Sequence, residues 1–179
     1  GANAVYLGGK SFNARRNAGN FDNEELKKAV EYCHCRDVKV YLTLNMLVRD
    51  DEMREAYDTV KAALLCGVDA FIVQDIGVAK MIREHFPSAR LHGSTQMTPS
   101  GVKAVKDMGF SRVVLPREMS LKEIKEIRGS TDLELELFVH GALCMSVSGQ
   151  CYLSSMIGSR SGNRGLCAQP CRLPFTAGG

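Results

Sequence analysis

The sequence predicts an α/β protein: a truncated TIM-like (β/α) barrel with parallel strands and about six βα units. Two observations predict it. First, "GANAVYL", "GVDAFIV" and "GFSRVVL" share one shape, a glycine and three further residues before a run of three apolar ones. The glycine suits the position just past a helix, and the apolar run suits a strand covered on both faces. Second, strand-like stretches recur at intervals of 21 to 34 residues with helical patterns between them. That even cadence favours a barrel over a doubly wound open sheet. A complete barrel usually needs roughly 250 residues, so six strands imply a missing first unit and a missing end. Such a fragment exposes sheet edges, and pairing with another copy or another chain is expected.

Six strands are expected near 4–8, 38–45, 68–74, 90–95, 111–116 and 133–140. The first helix falls in "FDNEELKKAVEYCHC", where Leu26, Ala29, Val30 and Cys33 make an apolar stripe and Asp22 with Glu25 forms a capping box. Met53, Ala56, Tyr57 and Val60 repeat that spacing in the second helix. Thr98 and Pro99 mark the start of the fourth, and Ser120 with Glu123 caps the fifth. Residues 1–143 then form a partial barrel. Residues 144–179, rich in Cys, Gly and Arg, form a loop segment closing its mouth and beginning a missing C-terminal part.

The chain has 179 residues, 45% hydrophobic, enough for one well-buried core. It holds no run of eighteen apolar residues and no signal-peptide pattern. It starts at Gly1 rather than Met, which reads as a piece of a longer protein. Seven cysteines, an odd number in a chain able to build a core, point to a reducing, cytoplasmic compartment and to metal or catalysis rather than bridges. Cys33, Cys35 and Cys66 fall in helices at core or near-core positions. Charge is unevenly spread. Residues 1–21 hold Lys10, Arg15 and Arg16, residues 137–179 hold Arg160, Arg164 and Arg172, and neither segment holds an acid. Arg15, Arg16, Arg160, Arg164 and Arg172 are candidates for binding an anion or a phosphate backbone; solvated loop arginines are the plain alternative.

Barrel chemistry sits at the C-terminal ends of strands. Those ends carry Asn45, Asp75, Gln96, Arg117, Glu118 and His140. Glu118 is a candidate general base and Arg117 a bidentate grip for a carboxylate or phosphate. His140, four residues before Cys144, is a candidate proton-handling group, with a structural role as the plain alternative. Asp75 doubles as a helix cap. His34, His85 and His92 read as structural.

Cys144, Cys151, Cys167 and Cys171 are spaced C-x6-C-x15-C-x3-C. Paired C-x2-C motifs of a zinc ribbon are absent. An iron–sulfur cluster needs four thiolates converging from loops, and the surrounding glycines would let loops wrap it. A lone nucleophilic cysteine near His140, a zinc site or inert cysteines are the rivals.

The pattern Glu136-x-Phe138-x2-Gly141-Ala142-Leu143-Cys144-x4-Gly149-x-Cys151-x-Leu153-Ser154 resembles the signature of the collagenase-like peptidase family U32, with every fixed position filled. "SRSGNRGLCAQPCR" is similar to that family's next block, and "AVYLGGKSFNARRNAGNF" to its second barrel unit. The resemblance implies a barrel-like domain followed by further sequence. It also implies either protease activity, with collagen among the substrates, or hydroxylation of a tRNA or ribosomal RNA pyrimidine or of a quinone ring. Members of the hydroxylation group bind a [4Fe–4S] cluster through matching cysteines, and prephenate is linked to some of the reactions. Cys144, Cys151 and Cys167 carry over as ligands; the fourth is Cys171 or lies downstream. The expected function is therefore iron–sulfur-dependent hydroxylation of an RNA pyrimidine or a small aromatic substrate. A peptidase and a metal-stabilised partner subunit without its own activity are the alternatives. No zinc-protease helix motif and no nucleophile elbow supports the peptidase.

Overall fold

The structure is a computed structural model that describes residues 1–14, 18–97, 102–141 and 144–174. Twelve named elements alternate as strands and helices: β1 (Ala4–Gly8), α1 (Asn23–His34), β2 (Lys39–Leu44), α2 (Met53–Leu65), β3 (Ala70–Val73), α3 (Ile76–His85), β4 (Leu91–Gly93), α4 (Val102–Asp107), β5 (Arg112–Val114), α5 (Leu121–Ser130), β6 (Glu134–Glu136) and α6 (Leu153–Gly158). Short 3₁₀ turns lie at Asp50–Glu52, Gly162–Arg164 and Pro170–Arg172. The six strands pair in sequence order, every pair parallel, as a curled half-barrel. The Thr98–Pro99 helix start lies outside the described residues.

Local chemistry explains the helix starts. The Asp22 carboxylate accepts from the Glu25 N–H, and the Glu25 carboxylate accepts from the Asp22 N–H, a reciprocal capping box. Ser120 and Glu123 do the same for α5. Asp75 caps α3 by accepting from the Val78 N–H at 3.0 Å.

The sheet has two faces. Val40, Leu42, Leu44, Phe71, Val73, Leu91 and Val113 point outward into the main core under the helices, against Val60, Val78, Ile82 and Val105. The alternate residues, Tyr41, Thr43, Ala70, Ile72, His92, Arg112, Val114 and Glu136, face the concave side. β3 is buried at all four residues because helices cover one face and the concave layer the other.

Two expectations need correction. The sixth strand was expected over 133–140, but β6 stops at Glu136. Its last partner is Val114, after which Leu115 donates to the Glu136 carbonyl and Pro116 has no N–H to extend the ladder. Phe138 and Val139 are exposed as a result. Cys35 lies past the end of α1 and is exposed, whereas Cys33 and Cys66 are partly buried against the core. No helix among the described residues is long and apolar enough to cross a membrane.

Leu91, in the middle of the sheet and fully buried, tests this core. Leu91→Ala is expected to lower unfolding free energy by about 3 kcal/mol in urea titrations. Leu65→Ala, at a position 80% exposed, is expected to change it by less than about 0.5 kcal/mol.

Candidate functional site

The C-terminal ends of the strands open on a cleft of about 810 Å³. Asn45, Gln96, Arg117 and His140 all line it, together with Glu136 and Phe138. Asp75 and Glu118 do not. His140 is exposed at the rim, four residues beyond the end of β6.

The β1 side of the mouth is a hydrogen-bonded network. The Thr43 hydroxyl donates to the Leu7 carbonyl at 3.1 Å and to Asn13 Oδ1 at 3.3 Å. The Asn13 amide donates to Asn20 Oδ1 at 2.6 Å. Asn45 Oδ1 accepts from the Ala14 N–H at 3.0 Å, so Asn45 shapes the wall with its oxygen. Gly8 is required beneath this network, since a Cβ there would lie 2.0 Å from Asn13 Nδ2.

Asp75 spends both oxygens on backbone donors, the second on the Val48 N–H at 3.1 Å, which ties the loop after β2 to α3. Glu118 is likewise committed. It accepts from the Ser148 N–H at 2.7 Å and the Ser148 hydroxyl at 3.0 Å. Burial would push its carboxyl up, but these hydrogen bonds and the neighbouring Arg117 charge outweigh that and hold it below the ordinary value. Arg117 Nη2 donates to the Ser146 carbonyl at 3.3 Å. The cysteine-bearing loop is thus held to the β5 end by two adjacent residues. It also rests on the β4 end, where Gly149, at φ +77°, leaves room for Gln96.

A second attachment lies across the mouth. Arg164 donates through both terminal nitrogens to Glu52, at 2.7 and 2.6 Å, and to the Leu47 carbonyl at 2.9 Å. The Arg164 fork holds the Glu52 carboxyl at about 2, helped by the Arg49 N–H and charge and opposed by burial. Gly165, at φ +74°, packs so tightly that a Cβ would sit 2.5 Å from the Asn13 carbonyl. Arg160 donates to the Leu166 carbonyl at 3.1 Å, and Arg160 and Arg172 are exposed. Arg15 and Arg16 lie outside the described residues.

On the concave floor, Arg112 bridges Glu134, at 2.9 and 2.6 Å, and Glu136, at 3.0 Å. Beside it His92 is 4% exposed, edge-on to Tyr41 with ring centroids 4.7 Å apart. Burial, then the Arg112 charge, pushes its imidazole down to about 4, so the ring is neutral at physiological pH.

This arrangement, a polar mouth on parallel strands strapped by a cysteine-bearing tail, meets one sequence family. The sequence model of peptidase family U32 matches residues 1–178. The chain belongs to peptidase family U32. The 23S rRNA 5-hydroxycytidine synthase of Escherichia coli is 43% identical over 98% of this chain and 27% of its own length. The tRNA hydroxylation protein P1 of Bacillus subtilis is 40% identical over 98% of the chain and 42% of its own length. A collagenase of Porphyromonas gingivalis is 36% identical over 98% and 45%. The chain therefore spans less than half the length of these relatives. Among solved structures, the U32 peptidase Mk0906 superposes with a TM-score of 0.63 at 14% identity, covering 75% of this chain and 60% of that one, which shows the shared fold.

The family resemblance implies a metal cluster on the tail cysteines, and their placement can be compared with that demand. Gly162 sits between two of them: a Cβ there would lie 3.7 Å from Cys167 Cβ and 3.8 Å from the Cys151 carbonyl. Cys167 Sγ accepts from the Gln169 N–H at 3.4 Å. Cys144 and Cys171 are exposed, and all four thiols are free. Among the described residues no three His, Cys, Asp or Glu side chains gather as a metal-holding group. Four thiols suit a cluster chemically, but this arrangement does not bring them together.

Three residues of the site escaped the sequence reading. Glu52 and Arg112 belong to no motif, and Glu136, which opens the U32 pattern, carries no site role of its own in that reading. The alternation in "LELELF" puts Glu134 and Glu136 on one face, and that signal was available.

The Glu52–Arg164 pair yields a pH test. A carboxyl lowered from 4.5 to about 2 contributes stability that is present above the unfolded value and lost as pH falls through the folded one. Glu52→Gln is expected to reduce stability at neutral pH by about 1–3 kcal/mol. The gap in melting temperature from wild type should close as pH falls from about 4.5 towards 2.

Proposed function

We propose that this chain forms the substrate-binding half-barrel of an RNA hydroxylation protein, with the mouth cleft receiving a pyrimidine base. The observation that carries this reading is the composition of the cleft. It is about 810 Å³, within the range of small-ligand sites, and combines amide and hydroxyl groups, one carboxylate and aromatic faces under an Arg117 and His140 rim. A base in a duplex cannot reach such a recess, so the target nucleotide is single-stranded or flipped. Phosphates on either side would meet Arg117 and the exposed Arg160 and Arg172. The E. coli and B. subtilis relatives, named for hydroxylation of ribosomal and transfer RNA, support the same choice. A small anion such as prephenate would use the same rim arginines.

Cys144, Cys151, Cys167 and Cys171 are the residues we propose for a [4Fe–4S] cluster, or for zinc if the protein is colourless. Binding either would require the 144–151 and 167–171 loops to draw together. A cytoplasmic location is part of the same proposal, supported by the relatives named for work on tRNA and rRNA. The peptidase reading rests on relatives named collagenase and uncharacterized protease. No histidine among the described residues hydrogen bonds a serine or cysteine, so no nucleophile–base pair supports it here.

The test uses the intact protein prepared without oxygen and RNA from cells lacking it. Wild type is expected to bind tRNA or rRNA fragments with affinity falling steeply in salt, and mass spectrometry should show gain of one oxygen on a pyrimidine. Cys151→Ala, with its melting curve retained, is expected to abolish that gain. Cleavage of gelatin or casein that survives iron removal and loss of all four thiols, with no RNA bound, would replace this reading by the peptidase. Loss of only partner binding in Cys151→Ala would leave a partner subunit.

A further inference from the structure

We infer that Glu136 selects the ligand of the mouth cleft, accepting a hydrogen bond from an N–H on the edge of a planar, uncharged heterocycle. This rests on the RNA reading above and specifies how its base would be read. The other carboxylates near the mouth are taken. Glu118 gives both oxygens to Ser148, Asp75 gives both to backbone N–H groups, and Glu52 is gripped by Arg164. Glu136 lines the cleft, its side chain 32% exposed. Arg112 holds its Oε2 at 3.0 Å, and no group among the described residues bonds its Oε1.

Arg112 cannot turn to the ligand instead. Its Nε and Nη2 are held by Glu134, and its guanidinium lies 5.4 Å from the Tyr41 ring. Among the described residues that line the cleft Glu136 is the carboxylate, and Arg112 takes only its Oε2, which leaves Oε1 as an acceptor in the lining. At that point the cleft accepts an N–H donor rather than a phosphate or carboxylate oxygen. Tyr6 and Phe138 add flat apolar surface to the same lining. A carboxylate accepting from the exocyclic amine of cytosine is a standard pairing of this kind, and the ring N–H of uracil offers a similar donor.

The probes are a short single-stranded RNA containing one cytidine and the same RNA with N4,N4-dimethylcytidine, titrated into the intact protein by fluorescence anisotropy. Methylation is expected to weaken binding to wild type about tenfold. Glu136→Met is expected to bind the unmodified RNA about tenfold more weakly and to be nearly indifferent to methylation. Glu134→Gln, which shares Arg112 but does not line the cleft, should match wild type. Should Glu136→Met fail to melt cooperatively, Glu136→Gln serves in its place, with a smaller loss and a reduced response to methylation expected. Equal methylation sensitivity in wild type and the Glu136 variant overturns the inference while the RNA reading stands. A matching loss in Glu134→Gln overturns it as well, because support of Arg112 would then explain the effect. Failure of wild type to bind either RNA removes both readings.

Discussion

Six parallel strands paired in sequence order leave every strand residue one of two destinations, and the rest of the structure follows from that alternation. Leu42, Phe71, Leu91 and Val113 go to the helices, where burial of each large side chain contributes about 1.5–3 kcal/mol. Their neighbours Thr43, Ile72, His92 and Arg112 go to the concave side, in register across four strands. A slip of one residue in any pair would exchange the two sets, placing a guanidinium among the helices and leucine in the cleft. The apolar layer thus fixes the position of the polar one.

The tail completes the mouth by electrostatics more than by apolar burial. Tyr152, Met156 and Ile157 of the α6 region are exposed, whereas Ser148, Ser154 and Gly165 are buried. What holds the tail is a carboxylate on a serine at one side and a two-pronged arginine on a carboxylate at the other. Both carboxyls are held below their ordinary values, so they stay ionised as anchors and are weaker proton acceptors than an ordinary carboxylate.

Much of the fold was legible because its signals are local. The capping boxes at Asp22 and Ser120 span four residues each, and the apolar stripe of α1 spans eight. The half-barrel followed from cadence. The cleft was legible in part: Asn45, Gln96, Arg117 and His140 line it because strand ends converge in any such architecture. Roles were harder to read. Glu118 differs from Glu136 through a serine thirty residues away, a contact no spacing rule reveals. The early end of β6 was hidden in one proline, Pro116, just past the end of the neighbouring β5.

Strand partners lie 20 to 35 positions apart along the chain, but Arg164 and Glu52 are separated by 112. Closing that long span carries a larger entropy penalty than zipping any neighbouring pair. Loop-closure entropy alone therefore favours the neighbouring strand pairs over the arginine contact early in assembly. By the same reasoning, releasing the tail returns more chain entropy than parting any one strand pair, which makes the Arg164 clasp the contact on which closure of the mouth most depends.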